Sequence, residues 1–159
     1  MTEALEKQLN YEELLEQDGK YVGPTSGVSM LPMLKSGRDT VVIVKKTERL
    51  KPLDVAFYRR GGKYVLHRVI KPLDGGYLIR GDNCYSDELI PEKDVLGVLD
   101  EYFRGDERVK CTDKKYLSYA KRRVKNYPAR RFFMRVKWKI KRILRAIFKR
   151  KTKETEKKD

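Results

Sequence analysis

The stretch KPLDVAFYRRGGKYVLHRVI, residues 51–70, decides the fold. KPLDVAFYRR (51–60) is a β-branched and aromatic run and reads as a strand. KYVLHRVI (63–70) reads as a second. Gly61-Gly62 between them predicts a tight hairpin, because glycine enters the backbone region that two-residue hairpin turns need. Strand alternation puts His67 on the face of Val65 and Val69, with Leu66 and Arg68 on the opposite face.

The same texture extends outward from this hairpin, from Gly23 to Val109. DTVVIVKK (39–46) is another apolar β-branched run. DGG (74–76) is a turn into YLIRGDN (77–83), and DVLGVLDEYFRG (94–105) and ERVKC (107–111) follow. No helical period lies between these runs. The expectation is a mostly-β domain over residues 23–111, a barrel or coiled sheet. Before it, Leu5, Leu9, Tyr11, Leu14 and Leu15 give an apolar stripe over residues 2–17, ended by Gly19. Residues 1–22 are therefore expected to be a helical extension. There is no internal repeat.

The chain has 159 residues, 40% of them hydrophobic and 38% charged, which suits a soluble globular protein. Its net charge of +15 is unevenly placed. From Lys114 to Lys151 there are 17 Lys/Arg and no Asp or Glu, whereas residues 1–113 sum to −2. A basic helical region is expected over 112–151 and a solvated, disordered tail over 152–159. The acidic N-terminus does not read as a secretory signal, and no apolar run is long enough to span a bilayer. Cys84 and Cys111 are too few for a disulfide framework, though one pairing stays open. With one histidine, neither a metal site nor a cofactor is expected. Two free thiols suit a reducing cytosol.

Four segments carry the chemistry when taken together. In TSGVSMLPML (25–34), Gly27 and Pro32 flank Ser29 and could shape a turn that exposes its hydroxyl. Met30 and Leu31 could anchor that turn on the core. A serine attacks only if a base removes its proton and backbone N–H groups meet the developing oxyanion. His67 is the side chain whose ordinary pKa suits such a base. RGDNCYSDE (80–88) supplies Asp82, Asp87 and Glu88, any of which could orient the imidazole. The fourth segment is the pair of strand entries SGRDTVVIV and KPLDVAFY, each with an aspartate before an apolar run.

In this order, the segments resemble the LexA/signal-peptidase-like superfamily of serine peptidases over roughly residues 23–105. GVSMLPML is similar to the family's G-x-S-M-x-P-x-L nucleophile turn, and KPLDVAFY to its G-D-V-V-x-F strand. VLHRVI resembles the base-bearing strand, RGDN the K-G-D-N box, and DVLGVL the strand that follows. The resemblance implies a coiled β domain in which Ser29 is the nucleophile. Gly27, Val28, Met30 and Pro32 would form the oxyanion turn. His67 falls where most bacterial signal peptidases and LexA repressors carry lysine, which resembles the endoplasmic-reticulum and archaeal type. Asp82 matches the aspartate of the box, and a second acid six residues later falls on Glu88, beside Asp87.

The chain also departs from the pattern. Gly27 stands where signal peptidases carry a side-chain oxyanion donor, Leu53 replaces a common glycine, and Arg38 intrudes between Gly37 and Asp39. Neither the membrane anchor of signal peptidases nor the DNA-binding domain of LexA repressors is expected here. The implied partner is a peptide or protein bound as an added β-strand, in the cytosol or on the inner face of the cell membrane. Two rival readings are a non-catalytic binding module and a self-cleaving regulator.

Beyond Asp113 the helical period returns. Residues 116–127 suit one helix, with Pro128 as an interruption, and residues 129–150 suit another. In the second, Phe132, Phe133, Val136, Ile140, Ile143, Leu144 and Ile147 fall within a sector of about 120°. Trp138 lies off this face, and Arg135, Lys137, Lys141, Arg142 and Arg145 help fill the rest. Such a helix fits three settings: an anionic membrane surface, packing on the β domain, or nucleic acid or another acidic partner.

Overall fold

A computed structural model describes residues 11–155. Strands β1 (Lys20–Pro24), β2 (Asp39–Lys45), β3 (Val55–Arg60), β4 (Lys63–Leu73), β5 (Gly76–Arg80), β6 (Glu88–Pro91), β7 (Val95–Arg104) and β8 (Glu107–Lys110) form one antiparallel sheet. The spatial order is β1-β2-β7-β3-β4-β5-β6, and β8 pairs with β7. Helix α1 covers residues 11–17, α2 Lys114–Lys125 and α3 Tyr127–Thr155. The mostly-β expectation therefore holds, as a curled antiparallel sheet with helices.

The opening hairpin forms as its sequence predicts. β3 and β4 pair from Val55↔Arg68 to Arg60↔Lys63, and Gly61 and Gly62 turn the chain at φ of 53° and 73°. Register shifts at Val42/Ile43, Phe57/Tyr58 and Val69/Lys71 add local twist, which curls the sheet. Alternation along β3 feeds two cores. Val55 and Phe57 join Met30, Met33, Leu34, Ile43, Leu15 of α1 and Tyr116 and Ala120 of α2. Ala56 and Tyr58 join Leu50, Val69, Tyr77, Ile79 and Ile90 on the other face.

Several boundaries differ from the sequence expectation. Residues 20–22 belong to strand β1, paired with β2, rather than to a helical extension. β3 begins at Val55 because Lys51–Asp54 close a turn: the Asp54 carboxylate accepts from the Lys51 N–H at 2.7 Å, and Leu53 sits at φ 82°. Edge strand β6 has no apolar alternation to announce it. Pro128 does not interrupt a helix. It lies in the first turn of α3, where its missing N–H leaves no bond unmade. Residues 152–155, expected as disordered tail, continue α3. The expected helix over 2–10 and the tail 156–159 lie outside the described residues. The chain divides into two compact units at Val124/Lys125. No helix among the described residues is long and apolar enough to cross a membrane.

Candidate active site

Ser29 sits in the loop between β1 and β2, and that loop is pinned on several sides. The Asn83 N–H donates to the Ser29 carbonyl at 2.7 Å, and the Asn83 side-chain amide to the Val28 carbonyl at 3.1 Å. Arg123 of α2 donates to the Leu31 carbonyl at 3.2 Å. Met30, Met33 and Leu34 are buried, so the loop is also held from below. Gly27 has φ 84°, and the Leu31–Pro32 peptide is cis. Val28 is exposed at the rim.

His67 reaches the same place from β4. Its side chain is 3% exposed. Gly81 marks where the two approach. A Cβ built on it would lie 2.7 Å from the Ser29 carbonyl oxygen, 2.9 Å from His67 Nε2 and 2.7 Å from Cys84 Sγ. Nε2 and the serine loop thus flank one point of backbone that only glycine can occupy without displacing them.

The other ring nitrogen faces inward. Nδ1 lies 3.0 Å from the Tyr58 hydroxyl and 3.7 Å from Glu88 Oε1. Tyr58 donates to Glu88 Oε2 at 3.1 Å. With its proton committed to the carboxylate, the phenol oxygen accepts from Nδ1–H. This chain of donors assigns the tautomer: Nδ1 carries the proton, and Nε2 is left as the acceptor. Arg60 donates to both Glu88 oxygens at 2.6 Å. Burial raises the Glu88 pKa, but Arg60, the nearby imidazole and Tyr58 outweigh it and hold the carboxyl below its ordinary range. Burial, aided by Arg60, lowers the His67 pKa against the opposing pull of Glu88 and Asp82. The ring is therefore neutral at pH 7, the form a general base requires. Burial, then Glu88, pushes the Tyr58 phenol up, so it stays a donor.

The three acids of the 80–88 segment separate in space. Glu88 stands by His67. Asp87 pairs with Arg80. Asp82 faces the opposite side of β4, where Arg68 grips both its oxygens at 2.8 and 2.7 Å and Tyr119 donates to it at 3.0 Å. Arg68 is fully buried and also donates to the Leu53 carbonyl, the Tyr116 hydroxyl and the Met33 sulfur. Asp82 is thus a structural anchor beneath the serine loop and not the hydrogen-bond partner of His67. Sequence reasoning missed Tyr58 and Arg60. The available signal was their position on β3, opposite the His67 strand.

A groove of about 630 Å³ runs past these groups. Ser26–Ser29, Val65, His67 and Glu88 all line it. Its apolar lining includes Met30, Leu34, Ile43 and Phe57, and Tyr11, Tyr21 and Tyr64 also line it. Among the described residues, β4 pairs with β5 only from Arg68 onward, so Val65–His67 have a strand partner on the β3 side alone. Cys84 also lines the groove, but burial raises its pKa and disfavours the reactive thiolate. Both cysteines are free, and burial pushes Cys111 up to about 12. Among the described residues, no cluster of three or more His, Cys, Asp or Glu is placed to hold a metal.

The membrane-facing candidates of the C-terminal helix belong to the second unit and are far from this chemistry in sequence. Phe132, Phe133, Arg135, Lys137, Lys141, Arg142 and Arg145 are all exposed. Trp138 lies within the α3 span. Neither the protein-family models nor the curated proteins yield a match to this chain.

Proposed function

We propose that this chain is a serine endopeptidase of the LexA/signal-peptidase type, with Ser29 as nucleophile and His67 as general base. The supporting observation is the placement of His67, with Nδ1 3.0 Å from the Tyr58 hydroxyl and Nε2 beside Gly81, where the Ser29 carbonyl also lies. Tyr58 and Glu88 fix the proton on Nδ1 and leave Nε2 free to accept one beside the serine loop. In the reaction, Ser29 Oγ attacks the peptide carbonyl while Nε2 takes its proton. Backbone N–H groups of the Gly27–Met30 loop meet the oxyanion, since Gly27 brings no side-chain donor. The tetrahedral intermediate collapses, Nε2–H protonates the departing amine, and an acyl-serine remains. Water then attacks the ester, again giving its proton to Nε2, and collapse returns the proton to Ser29. Glu88, kept ionised by Arg60, steadies the transient imidazolium through the Tyr58 phenol. An extended substrate adds alongside Val65–His67 as a strand.

The test is incubation of the purified chain with a diverse peptide library, read by mass spectrometry, beside Ser29→Ala and His67→Ala. Wild type generates new termini and both variants generate none. No cleavage by wild type, or equal cleavage by the variants, overturns the assignment and leaves the non-catalytic binding module. New termini within the chain itself, in wild type alone, assign the chemistry to self-cleavage.

A further inference from the structure

We propose that α3 docks on an anionic lipid bilayer, lying along its surface. The observation is separate from the groove and does not rest on the peptidase reading. α3 is one continuous helix of 29 residues, about 43 Å long. Phe132, Phe133, Val136 and Ile140 are all exposed, the two phenylalanines at 63% and 69%. The rings contact each other edge-on, 5.9 Å between centroids. At about 100° per residue these four side chains share a sector of roughly 100°. Arg135 and Lys139 border it on one side and Lys137 on the other. From Arg130 to Lys151 there are 11 Lys/Arg and no Asp or Glu.

The occupant of this helix must take both a continuous apolar stripe and a dense positive surround. A second copy of α3 would bring Arg135, Lys137 and Lys139 against their own like charges. A nucleic-acid duplex takes the positive charge through its phosphates but offers no continuous apolar surface for the stripe. An anionic leaflet takes both. The rings and aliphatics enter the acyl boundary, and the Lys/Arg side chains reach the headgroups, snorkelling where they border the stripe. The charge density keeps the helix at the surface, in line with the lack of a spanning helix among the described residues.

The test uses the full chain and two vesicle types, phosphatidylcholine alone and phosphatidylcholine carrying one-third phosphatidylglycerol. Co-sedimentation is paired with fluorescence of Trp138, the chain's single tryptophan. The expected result is at least about tenfold tighter partition to the anionic vesicles at low salt, with a blue shift and strong weakening at high salt. Phe132→Glu/Phe133→Glu is expected to lose at least about tenfold of that binding while most of the charge remains. Lys137→Glu/Lys141→Glu/Arg145→Glu is expected to lose more than that at low salt. Circular dichroism checks that each variant keeps its helix content. Equal partition to both vesicle types, no partition to either, or anionic binding that both variants retain overturns the proposal. Binding to a DNA duplex that survives Phe132→Glu/Phe133→Glu, without vesicle binding, overturns it in favour of nucleic acid.

Discussion

His67 and Arg68 are neighbours on β4, and both side chains are buried, yet alternation sends them to opposite faces and opposite uses. Arg68 is saturated. It holds both Asp82 oxygens, the Leu53 carbonyl and the Tyr116 hydroxyl, with the Tyr116 ring 5.5 Å from its guanidinium carbon. Burial works against its charge, but Asp82 more than offsets that, so its pKa is raised. His67 is satisfied at Nδ1 and presents Nε2 toward the groove. Burial dominates there and keeps it neutral. A buried charge with every partner supplied builds the frame. A buried neutral imidazole with one ring nitrogen left as an acceptor suits the proton transfer proposed for it.

The contrast can be broken first at the chemistry. Ser29→Ala or His67→Ala should lower kcat/KM on any cleaved peptide by on the order of 10⁴-fold or more, and Ser29→Ala should do so with little change in unfolding midpoint. Cys84→Ala should leave cleavage standing, which separates a serine from a thiol nucleophile. On the other face, Asp82→Ala strands the Arg68 charge and should cost about 3–5 kcal/mol of stability, read by thermal or denaturant unfolding. Equal stability in that variant would deny the saturated role of Arg68.

Smaller effects sharpen the boundary between the two faces. Gly81→Ala forces a methyl against the Ser29 carbonyl and Nε2, and should cost about 10²-fold in kcat while the Arg68–Asp82 pair persists. Tyr58→Phe removes two hydrogen bonds, one accepted from Nδ1–H and one donated to the Glu88 carboxylate, and should reduce kcat/KM by about tenfold. Glu88→Gln removes a charge that raises the His67 pKa, so the acid limb of the pH profile should move to lower pH. An unchanged or raised limb would detach Glu88 from the imidazole.

The hairpin, the serine loop and His67 were legible in the sequence because each has a local cause: a glycine pair, a Gly–Ser–Pro spacing, and period-two alternation. The acid was not legible. Asp82, Asp87 and Glu88 lie within seven residues, and only the register of β4, β5 and β6 sends one to the histidine and one to Arg68. Tyr58 was hidden for the same reason. Its register partner is Val65, two residues before His67 on the same face, and its acid lies 30 positions on. β1 was missed because KYVGP has too little apolar alternation to signal a strand. Leu53 shows a different limit: at φ 82° it takes a backbone conformation that usually belongs to glycine, with its N–H on Val69 and its carbonyl on Arg68. Burial lowers the His67 pKa in the folded chain, so the unfolded chain takes up the proton first as pH falls below 6.5. Stability should therefore decline in that window, as well as activity.

The chain's single histidine makes the protonation of the proposed base directly measurable. The imidazole of His67 can be titrated by NMR and overlaid on the pH dependence of kcat/KM for a cleaved peptide. One shared midpoint is expected, below 6.5, with cleavage lost as the ring gains its proton. Cleavage that persists where the ring is fully protonated, or a ring that titrates above 6.5, would contradict it.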